Sequence, residues 1–136
     1  MAAAAPTVAG GLGTLAWTLG RSGPGSRGYV EVARWKVPGG EGRIIAVEGR
    51  ASVPDLQALG GHLREEFRQV DAAVVMVFDD VEAAREVRRG SRVIGEQRFE
   101  AARLHQRAMY LKQAARGEDR LMVYKRYPEV LEVVLY

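Results

Sequence analysis

The stretch that decides the fold is Ala72-Ala-Val-Val-Met-Val-Phe78, seven apolar residues followed directly by Asp79 and Asp80. Seven residues are too few for a helix that buries itself, and Val is enriched in strands. A continuous apolar run is typical of a strand that is covered on both faces. We therefore expect Ala72–Phe78 to be an interior strand of a sheet. The two carboxylates mark the end of the strand that reaches water.

Composition limits the class of protein. The chain has 136 residues, of which 47% are hydrophobic and 27% charged, which fits one globular domain with a substantial core. It contains no cysteine, which excludes disulfides, thiolate metal sites and a cysteine nucleophile. The formal net charge is +3, with acidic residues interspersed among the basic ones, whereas nucleic-acid-binding proteins gather their basic residues in a patch.

The first 27 residues differ from the rest of the chain. Residues 1–20 carry no charged side chain, and residues 21–28 form a linker rich in Gly and Ser. We expect a flexible lead segment before a single domain at 28–136. We also expect the protein to be cytoplasmic. The alternative is the remnant of an export signal or membrane anchor whose true start lies upstream. Contact with a membrane is then expected only through residues 1–20.

Two strands and a helix are predicted before the central strand. Tyr29–Val37 and Arg43–Val47 are joined by a glycine-rich turn, which favours a hairpin. Ser52 followed by Asp55 has the spacing of a capping box, and apolar residues then recur at helical intervals: Leu56, Leu59, Leu63 and Phe67. Gly60 and Gly61 lie inside this helix, where they would permit close approach to the sheet.

After the central strand the pattern predicts more helix. A short helix is expected over Val81–Arg89 and a long one over Glu96–Arg116, ended by Gly117. The long helix would carry an apolar seam: Ala101, Leu104, Ala108, Leu111 and Ala115. Strands are predicted at Leu121–Tyr124 and Val130–Tyr136. The fold class is therefore α+β, with element order β-β-α-β-α-α-β-β and a mixed or mostly antiparallel sheet of about five strands on which the helices pack.

One group of residues is a candidate catalytic site: Asp79, Asp80 and His105. Carboxylates at the carboxyl end of a central strand are well placed for a crevice, and histidine is a common acid–base group. Asp79 and Asp80 are also candidate ligands for a divalent cation such as Mg²⁺, although no cofactor is predicted otherwise. The competing interpretation is structural, with Asp80 capping the next helix, Asp79 a solvated strand end and His105 a half-buried polar residue.

The candidate residues for binding a ligand or partner are Arg92, Arg103, Arg107 and Tyr110. The arginines could meet phosphates, but glutamates are woven through the same region and favour solvated helix faces with internal ion pairs. The leading hypothesis is a binding or interaction module without catalytic activity, which associates with itself or another protein through the long helix. The alternatives are a small metal-dependent or acid–base enzyme that uses the candidate catalytic site, and a weak nucleic-acid binder.

Overall fold

The sheet is built around Ala72–Phe78, as the sequence predicts. The computed structural model describes residues 28–136, and in it this strand, β3, pairs in parallel with β2 (Gly40–Val47) and antiparallel with β4 (Gln106–Gln113). Val75 and Val77 are completely buried. Both edges of β3 are therefore occupied, which confirms the interior strand. The predictions for residues 1–27 lie outside the described residues.

Within the described residues, six strands form one mixed sheet, and their order in space is their order in the chain. The outer strands are β1 (Tyr29–Val37) on one side, and β5 (Glu118–Arg126) and β6 (Glu129–Leu135) on the other. Every neighbouring pair is antiparallel except β2 and β3. A parallel pair requires a crossover connection, and the helix between β2 and β3 provides it. The α+β class is confirmed.

Helices lie on both faces of the sheet. They are α1 (Val53–Glu66), α2 (Val81–Arg89), α3 (Ser91–Ile94) and α4 (Glu96–Arg103), and a short 3₁₀ turn occupies Ala114–Arg116. On one face, Leu56 and Leu63 of α1, and Phe67 directly after it, are buried against side chains from β2 to β5. On the other face, α2 packs over β1 and β2, where Ile44, Ala46 and Ala84 form a second cluster with Phe78. No helix within residues 28–136 is long and apolar enough to span a membrane.

The start of α1 follows the predicted capping box. The Asp55 N–H donates to Ser52 Oγ at 3.2 Å, and the Ser52 N–H donates to Asp55 Oδ2 at 2.9 Å. These bonds satisfy backbone donors that the first helical turn leaves without partners. Further along, a Cβ on Gly60 would lie 2.7 Å from Leu121 Cδ2, so the absence of a side chain lets α1 approach β5 closely.

The predicted long helix at Glu96–Arg116 is wrong. Helix α4 ends at Arg103, and the chain returns as strand β4, which pairs with β3 on one side and β5 on the other. The segment Gln106–Gln113 contains several good helix formers, so local propensity favoured a helix. Its alternation of buried Gln106, Ala108 and Tyr110 with less buried neighbours serves a strand, and pairing on both sides overrides propensity.

Several details change with this correction. The sheet gains a sixth strand, and Ser91–Ile94, which lies between the two predicted helices, is a short helix. Gly117 does adopt the left-handed conformation, with φ of 68°, but it ends the 3₁₀ turn. The predicted seam does not exist as one surface, because Leu104 is 45% exposed in a turn and Ala108 is buried in the core. A partner therefore cannot bind along the helix that the sequence indicated.

Candidate functional site

Asp79 and His105 form a pair at the carboxyl end of β3. The Asp79 N–H donates to the His105 carbonyl at 3.0 Å, and His105 Nδ1 lies 2.8 Å from Asp79 Oδ1. The register between β3 and β4 shifts just before this point, next to Phe78. The structure therefore brings together two of the three predicted catalytic residues, through both backbone and side-chain contacts.

Arg107 adds a positive charge to this pair. Its Nη1 lies 3.9 Å from Asp79 Oδ2, and its Nη2 donates to the Ala51 carbonyl at 2.9 Å. The contacts link the end of β3, the start of β4 and the segment that leads into α1. Asp79 orients the imidazole and is itself neighboured by a guanidinium. These contacts hold three chain segments together. They also fix the orientation of the imidazole, which is one requirement for acid–base catalysis.

Asp80 does not join the pair. Its Oδ1 accepts the Ala83 N–H at 2.9 Å, so the carboxylate caps α2 as the structural interpretation proposed. An N-cap aspartate satisfies a free backbone donor and interacts favourably with the helix dipole. Within residues 28–136, no three His, Asp or Glu side chains are grouped so that they could hold a metal ion. Of the two carboxylates predicted to bind a divalent cation, Asp79 therefore pairs with His105 and Asp80 caps α2.

A cavity of about 460 Å³ lies elsewhere, between β1 and α2. Its lining residues are Val30, Glu31, Val32, Arg85, Arg88 and Arg89. None of the residues predicted for catalysis or binding is among them. The Asp79–His105 pair is therefore not part of this cavity, and a substrate bound there would meet arginines instead.

The residues predicted to bind a partner lie in different surroundings. Tyr110 is fully buried, and its hydroxyl donates to Asp119 Oδ1 at 2.7 Å. Tyr110 is therefore a core residue, and its burial, together with this hydrogen bond, raises its pKa. The Arg103 guanidinium contacts the Tyr127 hydroxyl and lies 4.7 Å from the centre of that ring. Arg92 is exposed on α3, so the set does not form one surface.

The sequence prediction missed an apolar surface on the outer half of the sheet. On β4, β5 and β6 the side chains that point away from α1 include the apolar Met109, Leu111, Met122, Val133 and Leu135, with Arg120 between Leu111 and Leu135, and we call this set the open face. Leu135 is 77% exposed and Val133 47% exposed, whereas Val134 between them packs against the core under α1. Large exposed apolar side chains that share a face mark interaction surfaces.

The open face ends at β6, which has no second neighbouring strand within residues 28–136 and so leaves a free edge. The Tyr136 N–H donates to the Asp119 carbonyl on β5 at 2.9 Å. In an antiparallel ladder the backbone groups of alternate residues point to the same side. The N–H and C=O groups of Val134 therefore also point to β5, while those of Val133 and Leu135 point outward. The pairing is irregular near Val130 but continuous from Glu132 onward.

A signal for this surface was present in the sequence. The run Val130–Tyr136 was predicted to be a strand, and Glu132 is its one charged residue. The position of β6 in the sheet was hidden while β4 was interpreted as helix, so the sequence did not show which strand lies at an edge.

Comparison with protein-family models found no matching family. Searches of curated proteins and of solved structures found no protein similar to this chain.

Proposed function

We propose that this domain is a protein-interaction module that binds an extended strand of a partner along β6. The observation that carries the proposal is the free edge from Glu132 to Leu135, whose outward backbone groups adjoin exposed apolar side chains. An unprotected edge of this kind is a template for pairing with another chain. Strand addition gives affinity through main-chain hydrogen bonds and specificity through alternate side chains.

The chemistry of the edge indicates what the added strand carries. Val133 and Leu135 are exposed on the open face, and the one charged side chain between Glu132 and Leu135 accepts a hydrogen bond from Gln57 at 2.8 Å. A partner strand with apolar residues on the matching face would bury Val133 and Leu135, while Arg120, which is opposite Leu135 on β5, keeps its contact with Glu118. The partner is thus an extended segment with apolar side chains on one side.

A labelled peptide of alternating Val and Thr tests strand addition, with binding measured by fluorescence anisotropy. At protein concentrations at which the chain is monomeric, we expect saturable binding to the wild-type domain and binding weaker by about tenfold or more for Leu135→Lys. Val93→Lys is the matched control, because Val93 is 64% exposed on α3, away from the edge. A peptide N-methylated along its bonding side should not bind.

Two results would overturn the proposal. One is equal binding of the plain and N-methylated peptides, which would show that backbone pairing is not involved. The other is no binding by a chain that light scattering shows to be monomeric, since its β6 edge would then be free.

A further inference from the structure

We propose that the strand added to β6 is β6 of a second copy, paired antiparallel about a two-fold axis at Val134. This inference rests on the proposed function and names its partner. Most soluble homo-oligomers are closed and symmetric, and a two-fold interface requires a surface that is complementary to itself. The sequence and geometry of Glu132–Tyr136 meet that requirement.

Hydrogen-bond geometry selects the axis. With the axis at Val134, Val133 of one copy faces Leu135 of the other, and these are the residues whose backbone groups point outward. Each such pair exchanges two N–H to C=O bonds, so the two copies share four. Val134 faces its own counterpart as a non-hydrogen-bonded pair. An axis at Val133 would instead pair Leu135 with Leu131, which lies where the register of β6 shifts.

Charge and side-chain placement agree with this register. Glu132 faces Tyr136 of the other copy, so the two carboxylates are not directly opposite, and like charges opposite each other would destabilise the pair. On the open face, Val133 meets Leu135 across the axis on both sides. These two side chains, 47% and 77% exposed, then lose water together with the adjoining Met122 surface.

The absence of cysteine from the chain allows a direct test of the axis. Antiparallel residues in a non-hydrogen-bonded pair have Cα atoms about 4.5 Å apart, which lies within the range of a disulfide. Val134→Cys should therefore give a covalent dimer under mild oxidation, seen on a non-reducing gel. Val133→Cys should not, because its counterpart is then a diagonal neighbour about 7 Å away or more.

Solution mass provides the second test, by light scattering and sedimentation of the full chain. We expect a dimer whose dissociation constant rises about a hundredfold in Leu135→Lys, since each dimer loses two apolar contacts. Val93→Lys should dimerise like the wild type. Because Leu135 is largely exposed, the Lys variant should keep its fold, checked by circular dichroism.

The outcomes separate the two proposals. A monomeric chain that still binds the Val–Thr peptide would end the self-association proposal and leave strand addition standing. A dimer that Leu135→Lys does not weaken would place the interface elsewhere and overturn the proposed register. Cross-linking of Val133→Cys in preference to Val134→Cys would also overturn the axis.

Discussion

The two outer strands of the sheet differ in what they present to a neighbouring chain. β1 exposes Glu31, Arg34 and Lys36, and its pairing with β2 is interrupted by a bulge at Val32. β6 exposes Leu131, Val133 and Leu135; its charges, Glu129 and Glu132, and its register shifts lie before Val133, so Val133–Leu135 carries neither a charge nor a bulge. Charges and bulges are the devices that keep edge strands from pairing with other chains. Within residues 28–136, β1 is therefore protected, and the end of β6 is available.

The same contrast holds for what secures each side of the sheet. Beside β1, Arg43 of β2 is 5% exposed, its Nη1 lies 2.7 Å from Glu66 Oε2, and its guanidinium also contacts Glu41. That guanidinium lies 4.6 Å from the centre of the Phe67 ring. β6 is held on its inner face by the apolar packing of Val134 and by the hydrogen bond from Gln57 to Glu132. The β1 side is therefore secured by a buried ion pair, whereas the β6 side is secured by packing and a hydrogen bond on its inner face.

The first prediction removes the buried charge on the protected side. Arg43→Met should lower the free energy of unfolding by about 2–3 kcal/mol, because Glu66 and Glu41 lose the cation between them. This value is below the usual cost of breaking a buried pair, since both carboxylates keep partial contact with water. Urea unfolding followed by circular dichroism measures it.

Arg34→Met is the matched control for that change. The Arg34 side chain is 50% exposed and its Nη2 lies 2.6 Å from Glu31 Oε1, so its loss should cost less than about 1 kcal/mol. If the two variants were equally stable, the buried cation would not be what secures the β1 side. The comparison between the two edges would then rest on the bulge and the exposed charges alone.

The second prediction concerns the hydroxyl proton of Tyr29, which lies on β1, the same side of the sheet. Burial, with the nearby Glu66 as the next cause, raises the pKa of Tyr29 from 10.0 to about 12. Between these values the unfolded chain has lost the proton and the folded chain keeps it, so stability falls as pH rises. The contribution is complete below pH 10.0 and is lost as the pH passes through about 12.

Tyr29→Phe removes this proton and supplies the measurement. From about pH 9 to about pH 11, the wild type should lose about 1.4 kcal/mol more unfolding free energy than the variant. Other titrating groups, including Tyr110, are present in both chains and cancel in the difference. Parallel losses in the two chains would show that Tyr29 titrates alike in the folded and unfolded states.

The parts of the fold that were predictable are those where local pattern and tertiary role agree. Ala72–Phe78 is apolar throughout and is buried, and Ser52 with Asp55 caps a helix by contacts that span three residues. β4 failed because its residues favour a helix in isolation. Only β3 and β5, which lie on either side, make it a strand. No local window contains that information.

The candidate site was predictable to the same extent. Asp79 and His105 are 26 positions apart, yet their pairing follows from where β3 ends and β4 begins. Asp80 had a local alternative as a helix cap, and the local contact prevailed. The surface at Val133 and Leu135 required knowing that β6 is an edge and that the helices leave its outer face open. That is a property of the assembled sheet.

The third prediction concerns the packing that positions the β6 side, and it compares two adjacent glycines of α1. A Cβ on Gly60 would lie 2.7 Å from both Leu121 Cδ2 and Tyr136 Oη, whereas a Cβ on Gly61 meets nothing within 4 Å.

Both substitutions by Ala gain the same helix propensity, about 1 kcal/mol. Gly60→Ala must also displace side chains of β5 and the residue after β6. We therefore expect it to be less stable than Gly61→Ala by about 1 kcal/mol, measured by urea unfolding. Equal stability would mean that α1 can move away from β5 without cost, and that the β6 edge is not rigidly placed.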